Sequence, residues 1–207
     1  MSPMPLTAEQ FAEIANVSRE TLDKLRRYAD LLVKWQKSIN LVGGDTLNDL
    51  WRRHFLDAAQ LVPLVPPDAR IIMDFGSGAG FPGLVLAIML DLEVNLVESS
   101  GKKVAFLREA ARVSGASVKL HQGRIEGLPL PKSDLITARA LAPLHQLLEF
   151  SVPNLEPHGL CLFLKGARAE EELTAAMKKR SMTVERIQSA TDPKGIILSI
   201  REISRDG

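Results

Sequence analysis

Residues 71–83 read IIMDFGSGAGFPG. Ile71, Ile72 and Met73 are apolar on consecutive positions, the pattern of a central parallel strand covered on both faces. Four glycines then fall within eight positions, beginning at Gly76. Gly76 and Gly78 tolerate positive φ and bare their backbone N–H groups to a ligand. Pro82 suits the first turn of a helix, where no N–H is needed. The stretch reads as strand, glycine loop and helix N-terminus, the place where open α/β sheets bind nucleotides.

The flanking residues bear on which nucleotide. Residues 78–83 match G-x-G-x-x-G by letter, but they begin several residues beyond the strand and carry Pro82 in the turn. A dinucleotide fingerprint begins at the strand end. In the register that does begin there, from Gly76, Phe81 replaces the third glycine. Asp74, at the strand tip, would repel a pyrophosphate and suit an ammonium group. Glu98, at the end of the next strand, is placed to accept hydrogen bonds from ribose hydroxyls. Ribose hydroxyls, an ammonium group and no phosphate describe S-adenosylmethionine. A nicotinamide-dependent oxidoreductase stays as an alternative. A P-loop is excluded, because Gly101-Lys102-Lys103 lacks the upstream glycine and the hydroxyl residue.

Outward from this loop the chain divides into two patterns. Residues 1–67 show helical periodicity and are expected to form an N-terminal helical extension packed on the core. Thr7 with Gln10 forms a capping box for a first helix, and Ser18 caps a second that runs to about Lys37. Leu22, Leu25, Ala29 and Leu32 give that helix an apolar face. Thr46 and Asp49 open a third helix through Leu61, which prolines end. Residues 68–207 are expected to form the ligand-binding domain. Strands are predicted at 71–75, 94–98, 118–122, 135–139, 160–165, 183–189 and 196–201. Helices are predicted at 82–90, 102–114, 143–152 and 169–180. The alternation implies an α/β fold with a mostly parallel seven-stranded sheet. The last two strands are linked too tightly for a crossover, so they form a C-terminal antiparallel hairpin.

The composition is that of a globular protein: 207 residues, 45% hydrophobic and 25% charged, with a net charge of +1. Near-neutrality gives no global pull toward nucleic acid, so a polyanion must be met by a local patch. The single cysteine, Cys161, excludes an internal disulfide and suits a reducing compartment. MSPMPLTAEQ lacks the basic-then-apolar pattern of a signal peptide, and no apolar run approaches a membrane span. A cytoplasmic protein with no membrane partner is expected.

Taken with the glycine loop, several further stretches make the chain recognisable. They are LLVKWQKSINL (31–41), RRHFLDAAQL (52–61), NLVESSGKKVAFLRE (95–109), GRIE (123–126), TARAL (137–141) and LFLKG (162–166). In order and spacing the chain resembles the bacterial 16S rRNA (guanine-N7) methyltransferase family RsmG, also called glucose-inhibited division protein B (GidB). The resemblance implies a Rossmann-like class I methyltransferase fold and S-adenosyl-L-methionine as cofactor. It implies N7 methylation of a guanine near the decoding site of 16S rRNA, carried by a small ribosomal subunit or assembly particle. It also implies that Gly76 and Phe81 contact the methionine end or hold the loop, and that Ile125 and Glu126 lie along the adenine. Arg139 would face the cofactor carboxylate or the substrate. Glu98 stands where aspartate is common in the family.

The residues bear on the reaction type. Cytosine C5 methylation needs a cysteine nucleophile, but Cys161 lies mid-strand between leucines and reads as structural. Amine methylation usually brings an Asp- or Asn-Pro-Pro-aromatic tetrapeptide after the fourth strand, where this chain has Arg139-Ala140-Leu141-Ala142. Guanine N7 already presents a lone pair, so the lack of an evident general base agrees with N7. A small-molecule or protein methyltransferase on the same sheet remains an alternative. Arg139 and Lys165, at strand ends, are the positioning candidates. Asp57 lies one turn from Arg53, so a structural ion pair between them is the alternative to an RNA contact by Arg53. Lys34, Lys37, Arg53, Arg139 and Lys165 are expected to form one RNA-binding face. His54, His121, His145 and His158 are scattered, so no metal is expected.

Overall fold

The computed structural model describes residues 4–204. β1 (Ile72–Phe75) is buried at every position, and its successive side chains enter opposite layers. Ile72 joins an apolar cluster with Val94, Leu96, Leu135 and Leu162, while Met73 and Phe75 join a second with Val97, Ile136 and Phe163. β1 pairs in parallel with β2 (Val94–Glu98) and β4 (Ser133–Arg139). β3 (Val118–Gln122) adds to β2, and β5 (Leu155–Lys165) adds to β4, all parallel. β7 (Ile196–Arg201) runs antiparallel to β5 and to β6 (Thr183–Gln188). The sheet order is β3-β2-β1-β4-β5-β7-β6, seven strands with the expected hairpin at one edge. From β1 the chain winds outward to β3, then returns to β4 on the other side. That reversal makes the carboxyl ends of β1 and β4 the switch point.

Helices cover both faces. α1 (Ala8–Ile14), α2 (Arg19–Gln36), α4 (Gly83–Leu90) and α5 (Gly101–Ser114) feed the first cluster; α6 (Leu144–Ser151) and α7 (Ala169–Met177) feed the second. α1 carries the Thr7–Gln10 capping box, and Ser18 accepts the N–H of Thr21 at the start of α2. Leu22, Leu25, Ala29 and Leu32 are buried, as their spacing predicts. α4 is apolar all round because it lies within the core, between the sheet and the N-terminal helices.

The expected third helix is not one helix. The segment breaks into a 3₁₀ turn at Gly44–Asp49, a π-helical turn at Trp51–Leu56 and the short α3 (Asp57–Ala59). Thr46 and Asp49 do not cap it. Asp49 instead accepts the N–H of Leu6 at 2.7 Å and pairs with Arg52. The π turn changes the side-chain phase of the segment and brings His54 and Phe55 inward together. β5 begins at Leu155, ahead of the expected Leu160, because Ser133 pairs with Leu155 across a bulge. Its Glu156-Pro157-His158 start carries no apolar signal. α7 stops at Met177, three residues before the expected end.

Candidate active site

The glycine loop is held from both sides. Phe81 is buried and stacks on Tyr28 at 5.3 Å and on His54 at 5.0 Å, with Phe55 edge-on at 5.2 Å. The Tyr28 hydroxyl donates to the carbonyl of Ala79. Burial raises the Tyr28 phenol well above its ordinary pKa, so it stays protonated as a donor. Phe81 thus ties the loop to the N-terminal helices; it does not face a ligand cleft.

Asp74 also lies inward. It shares the sheet face of Thr137, whose hydroxyl donates to Oδ1 at 2.8 Å. Oδ2 is buried without a hydrogen-bond partner, beneath the first turn of α4. A Cβ on Gly83 would stand 2.6 Å from the Asp74 Cβ and 2.5 Å from Leu96, so only glycine lets α4 start this close to the sheet. Burial pushes the Asp74 carboxyl up to about 6, partly offset by Thr137, Ser77 and the nearby Gly83 N–H, which falls short of a full hydrogen bond. The expected grip of Asp74 on an ammonium group is therefore corrected: α4 covers the carboxylate.

Two clefts open at the carboxyl edge of the sheet. The first, about 510 Å³, lies over the ends of β1 and β2 and is walled by Gly76, Glu98, Ile125 and Leu141. Glu98 Oε2 accepts the Gly78 N–H at 2.9 Å, and Oε1 accepts the Ser100 N–H at 2.7 Å. Each oxygen keeps lone-pair capacity for a further donor such as a hydroxyl. Gly76 has φ +65°, and a Cβ there would meet Leu141 at 2.5 Å. Ile125 and Phe150 supply apolar surface for a flat ring. The residues fit a ribose and its base.

The second cleft, about 640 Å³, lies over the ends of β4 and β5, and Ala140 borders both clefts. Arg139 is its central cation. Its Nη1 donates to Asp57 Oδ2 at 3.1 Å and to the carbonyl of Arg53 at 3.3 Å; its Nη2 reaches His54 Nδ1 at 3.0 Å. The guanidinium also lies 5.1 Å from the Phe81 ring centre. The alternative of an Arg53–Asp57 ion pair is not formed, because Arg139 takes that carboxylate from the sheet side. His54 Nε2 lies 2.7 Å from Thr46 Oγ1, whose own proton goes to the Gly43 carbonyl at 2.5 Å. Arg139 can only donate, so His54 accepts at Nδ1 and donates from Nε2. Burial, then Arg139 and Arg53, pull its pKa down to about 3, so the ring is neutral.

Of the expected cofactor residues, Gly76, Glu98, Ile125 and Glu126 meet at the first cleft. Gly78 contributes its N–H to Glu98, whereas Asp74 and Phe81 are buried behind the loop, and Arg139 belongs to the second cleft. The expected RNA face does not assemble as one surface. Arg53, Arg139 and Lys165 line the second cleft. Lys34 is exposed on α2 beside α5, where it adds to Arg112 in lowering the Glu109 carboxyl, and Lys37 is exposed just beyond α2. Lys165 is itself engaged, with Nζ 2.7 Å from Glu172 Oε2. Sequence reasoning missed Arg124 and Gln146 in the first cleft, and Thr46, Glu172 and Thr191 in the second. Arg124 stands in the quoted GRIE stretch; the others carry no pattern. Cys161 is buried in β5, and burial pushes its thiol up to about 12, as a structural cysteine requires. Among the described residues, no helix is long and apolar enough to cross a membrane, and no group of three or more metal-ligating side chains occurs.

Residues 21–197 match the family model described as GidB, rRNA small subunit methyltransferase G. The ribosomal RNA small subunit methyltransferase G of Paramagnetospirillum magneticum is 55% identical over 197 residues, covering 95% of this chain and 96% of that protein. Its namesake from Rhodospirillum rubrum is 52% identical over 200 residues, 97% of this chain and 100% of that one. Among solved structures, a SAM dependent methyltransferase from Aquifex aeolicus aligns with TM-score 0.59 at 17% identity, covering 75% of this chain and 94% of that one. The O-methyltransferase from Bacillus cereus in complex with SAH aligns with TM-score 0.56 at 13% identity, covering 95% and 100%. At such identities these likenesses speak to the fold, which is the Rossmann-like class I methyltransferase fold. The match over most of its length makes the chain a member of the GidB family, rRNA small subunit methyltransferase G.

Proposed function

We propose that the protein is an S-adenosylmethionine-dependent methyltransferase that modifies N7 of a guanine in 16S rRNA. The observation that carries the reading is Glu98, fixed by the N–H groups of Gly78 and Ser100 at the rim of a cleft floored by Gly76. A carboxylate there accepts from the two ribose hydroxyls, and the bare backbone at Gly76 admits the chain that leads to the sulfonium. The methyltransferase G relatives support rRNA as the substrate.

When bound, S-adenosylmethionine supplies a methyl group made electrophilic by its positive sulfur. The chain's task is to place the guanine in line with that methyl. N7 carries no proton, so no residue needs to remove one. The second cleft adjoins the first at Ala140 and has the size for a base drawn out of its stack. Positioning of this kind contributes roughly 7–11 kcal/mol to such transfers. Arg139 does not take the familiar two-pronged hold on guanine O6 and N7 in this scheme. That hold would occupy the attacking lone pair, and both Nη atoms already serve the N-terminal segment. A small ribosomal subunit or assembly particle is the proposed partner, which puts the reaction in the bacterial cytoplasm.

Calorimetry with S-adenosylhomocysteine and with NAD tests the cofactor: the first binds and the second does not. Radiolabelled methyl transfer to intact small subunits, bare 16S rRNA and amino-acid metabolites tests the substrate. Label confined to the metabolites would sink the RNA reading. Mapping the methylated position on rRNA from cells with and without the protein identifies the guanine.

A further inference from the structure

The wall between the two clefts is the loop of residues 140–143, which joins β4 to α6. Ala140 borders both clefts and holds φ +51°, a left-handed conformation that an alanine seldom adopts without support. Leu141 is 38% exposed, yet its side chain rests on Gly76, where a Cβ would come within 2.5 Å of it. The position of Leu141 therefore sets the shape of the first cleft at the point where the glycine loop is barest.

The loop is tied down from the opposite side. Lys165, the last residue of β5, donates from Nζ to the Ala142 carbonyl at 3.0 Å and to Glu172 Oε2 at 2.7 Å. The same Glu172 oxygen accepts the N–H of Leu144 at 2.8 Å. Leu144 is the first residue of α6, which has no side-chain cap of its own. Glu172, on α7, thus serves as that cap and places a carboxylate where the helix dipole favours it. Both side chains are mostly buried, at 11% and 18% exposed. The pair closes a ring through β5, α7 and the α6 end of the loop, at Ala142 and Leu144.

We propose that Lys165 and Glu172 are positioning residues that latch the 140–143 loop, seat Leu141 on Gly76 and thereby set cofactor affinity from the floor of the neighbouring cleft. Lys165 in this scheme is not a phosphate contact: its charge is spent on Glu172 and the loop. Both residues line the substrate cleft, so the latch also couples the two sites. The inference rests on the cofactor reading above.

The test measures S-adenosylhomocysteine binding by calorimetry and 16S rRNA binding across a salt series, for wild type, Lys165→Met, Glu172→Gln, the double variant and Lys165→Arg. Each of the first two variants is expected to weaken S-adenosylhomocysteine roughly 5–20-fold. The double variant is expected to lose little more than the worse single, as for residues acting through one contact. Lys165→Arg, which keeps a cation for Glu172, should stay within about 3-fold of wild type. The salt slope of RNA binding should not move. A slope that falls by about one in Lys165→Met, with cofactor affinity intact, would make Lys165 a phosphate contact and overturn the latch. Should Lys165→Met not fold, Glu172→Gln is judged by hydrogen exchange as well: the Leu144 amide must exchange faster while the β4 amides do not, and unchanged Leu144 exchange rejects the proposal. Wild type that takes no S-adenosylhomocysteine sinks the cofactor reading and this inference with it. Wild type that binds, with both variants unmoved, sinks the latch alone.

Discussion

Nδ1 of His54 accepts a hydrogen bond from Nη2 of Arg139 at 3.0 Å, and that contact joins the π-helical turn of the N-terminal segment to the end of β4. A proton on Nδ1 would abolish it and set two cations side by side. The network is therefore built for a neutral imidazole.

This has a consequence for acid stability. His54 is held down to about 3 by burial and by Arg139 and Arg53, against an ordinary 6.5. Below about pH 6.5 the unfolded chain takes up a proton that the folded one refuses, so the folded state loses ground as pH falls toward 3. The loss is at most about 1.4 kcal/mol per pH unit. Urea denaturation from pH 7 to 4.5 should show wild type losing more stability than His54→Gln. Parallel curves would refute the assignment.

Asp74 acts in the opposite sense. Burial raises its carboxyl from 3.8 to about 6, so the folded state binds a proton that the unfolded chain releases between those values. Its contribution is full at low pH and is lost as pH rises through 6, by up to about 3 kcal/mol. The stability of Asp74→Asn relative to wild type should therefore improve on going from pH 4 to pH 7.5. A pH-independent difference would mean that Asp74 titrates normally.

Gly83 fixes how near α4 lies to the sheet. In Gly83→Ala the new methyl must displace both the Leu96 and the Asp74 side chains. Overpacking of this kind costs about 1–3 kcal/mol. For a chain of this size that lowers Tm by roughly 3–10 °C in calorimetry. Gly127→Ala, where nothing lies within 4 Å of the added carbon, is the matched control and should change little.

For RNA binding, the placement of the cations separates two groups. Arg53→Ala, at the second cleft, should weaken binding and reduce the salt slope by about one. Lys34→Ala, on the α2 surface beside α5, should do neither. Equal effects from both would restore the single broad face that the sequence suggests.

The centre of the sheet was legible because its strands are buried on both faces. Consecutive apolar runs such as 71–73 and 160–164 leave little choice, and the short link at 190–195 forces a hairpin. The helical caps at Thr7 and Ser18 were legible because their chemistry is local. Glu98 was legible because a strand end followed by a capped helix places it at the edge. Asp74 misled because a strand tip in sequence is not a rim in space: α4 begins at Gly83 and closes over it. The π turn at Trp51–Leu56 left no periodic trace, and its phase change is what points His54 inward and leaves Asp57 to Arg139. Lys165 and Glu172 come from separate elements, and no spacing along the chain announces a tie made in three dimensions.

The Tyr28 hydroxyl ends on the carbonyl of Ala79, so a main-chain group of the glycine loop draws its partner from a helix some fifty positions earlier in the chain. A fragment that started at Arg70 would inherit the strands of the catalytic sheet together with an orphaned oxygen and a bared aromatic floor. Grafting or trimming experiments on this scaffold must carry the first helices along, since they brace the glycine turn at Ala79.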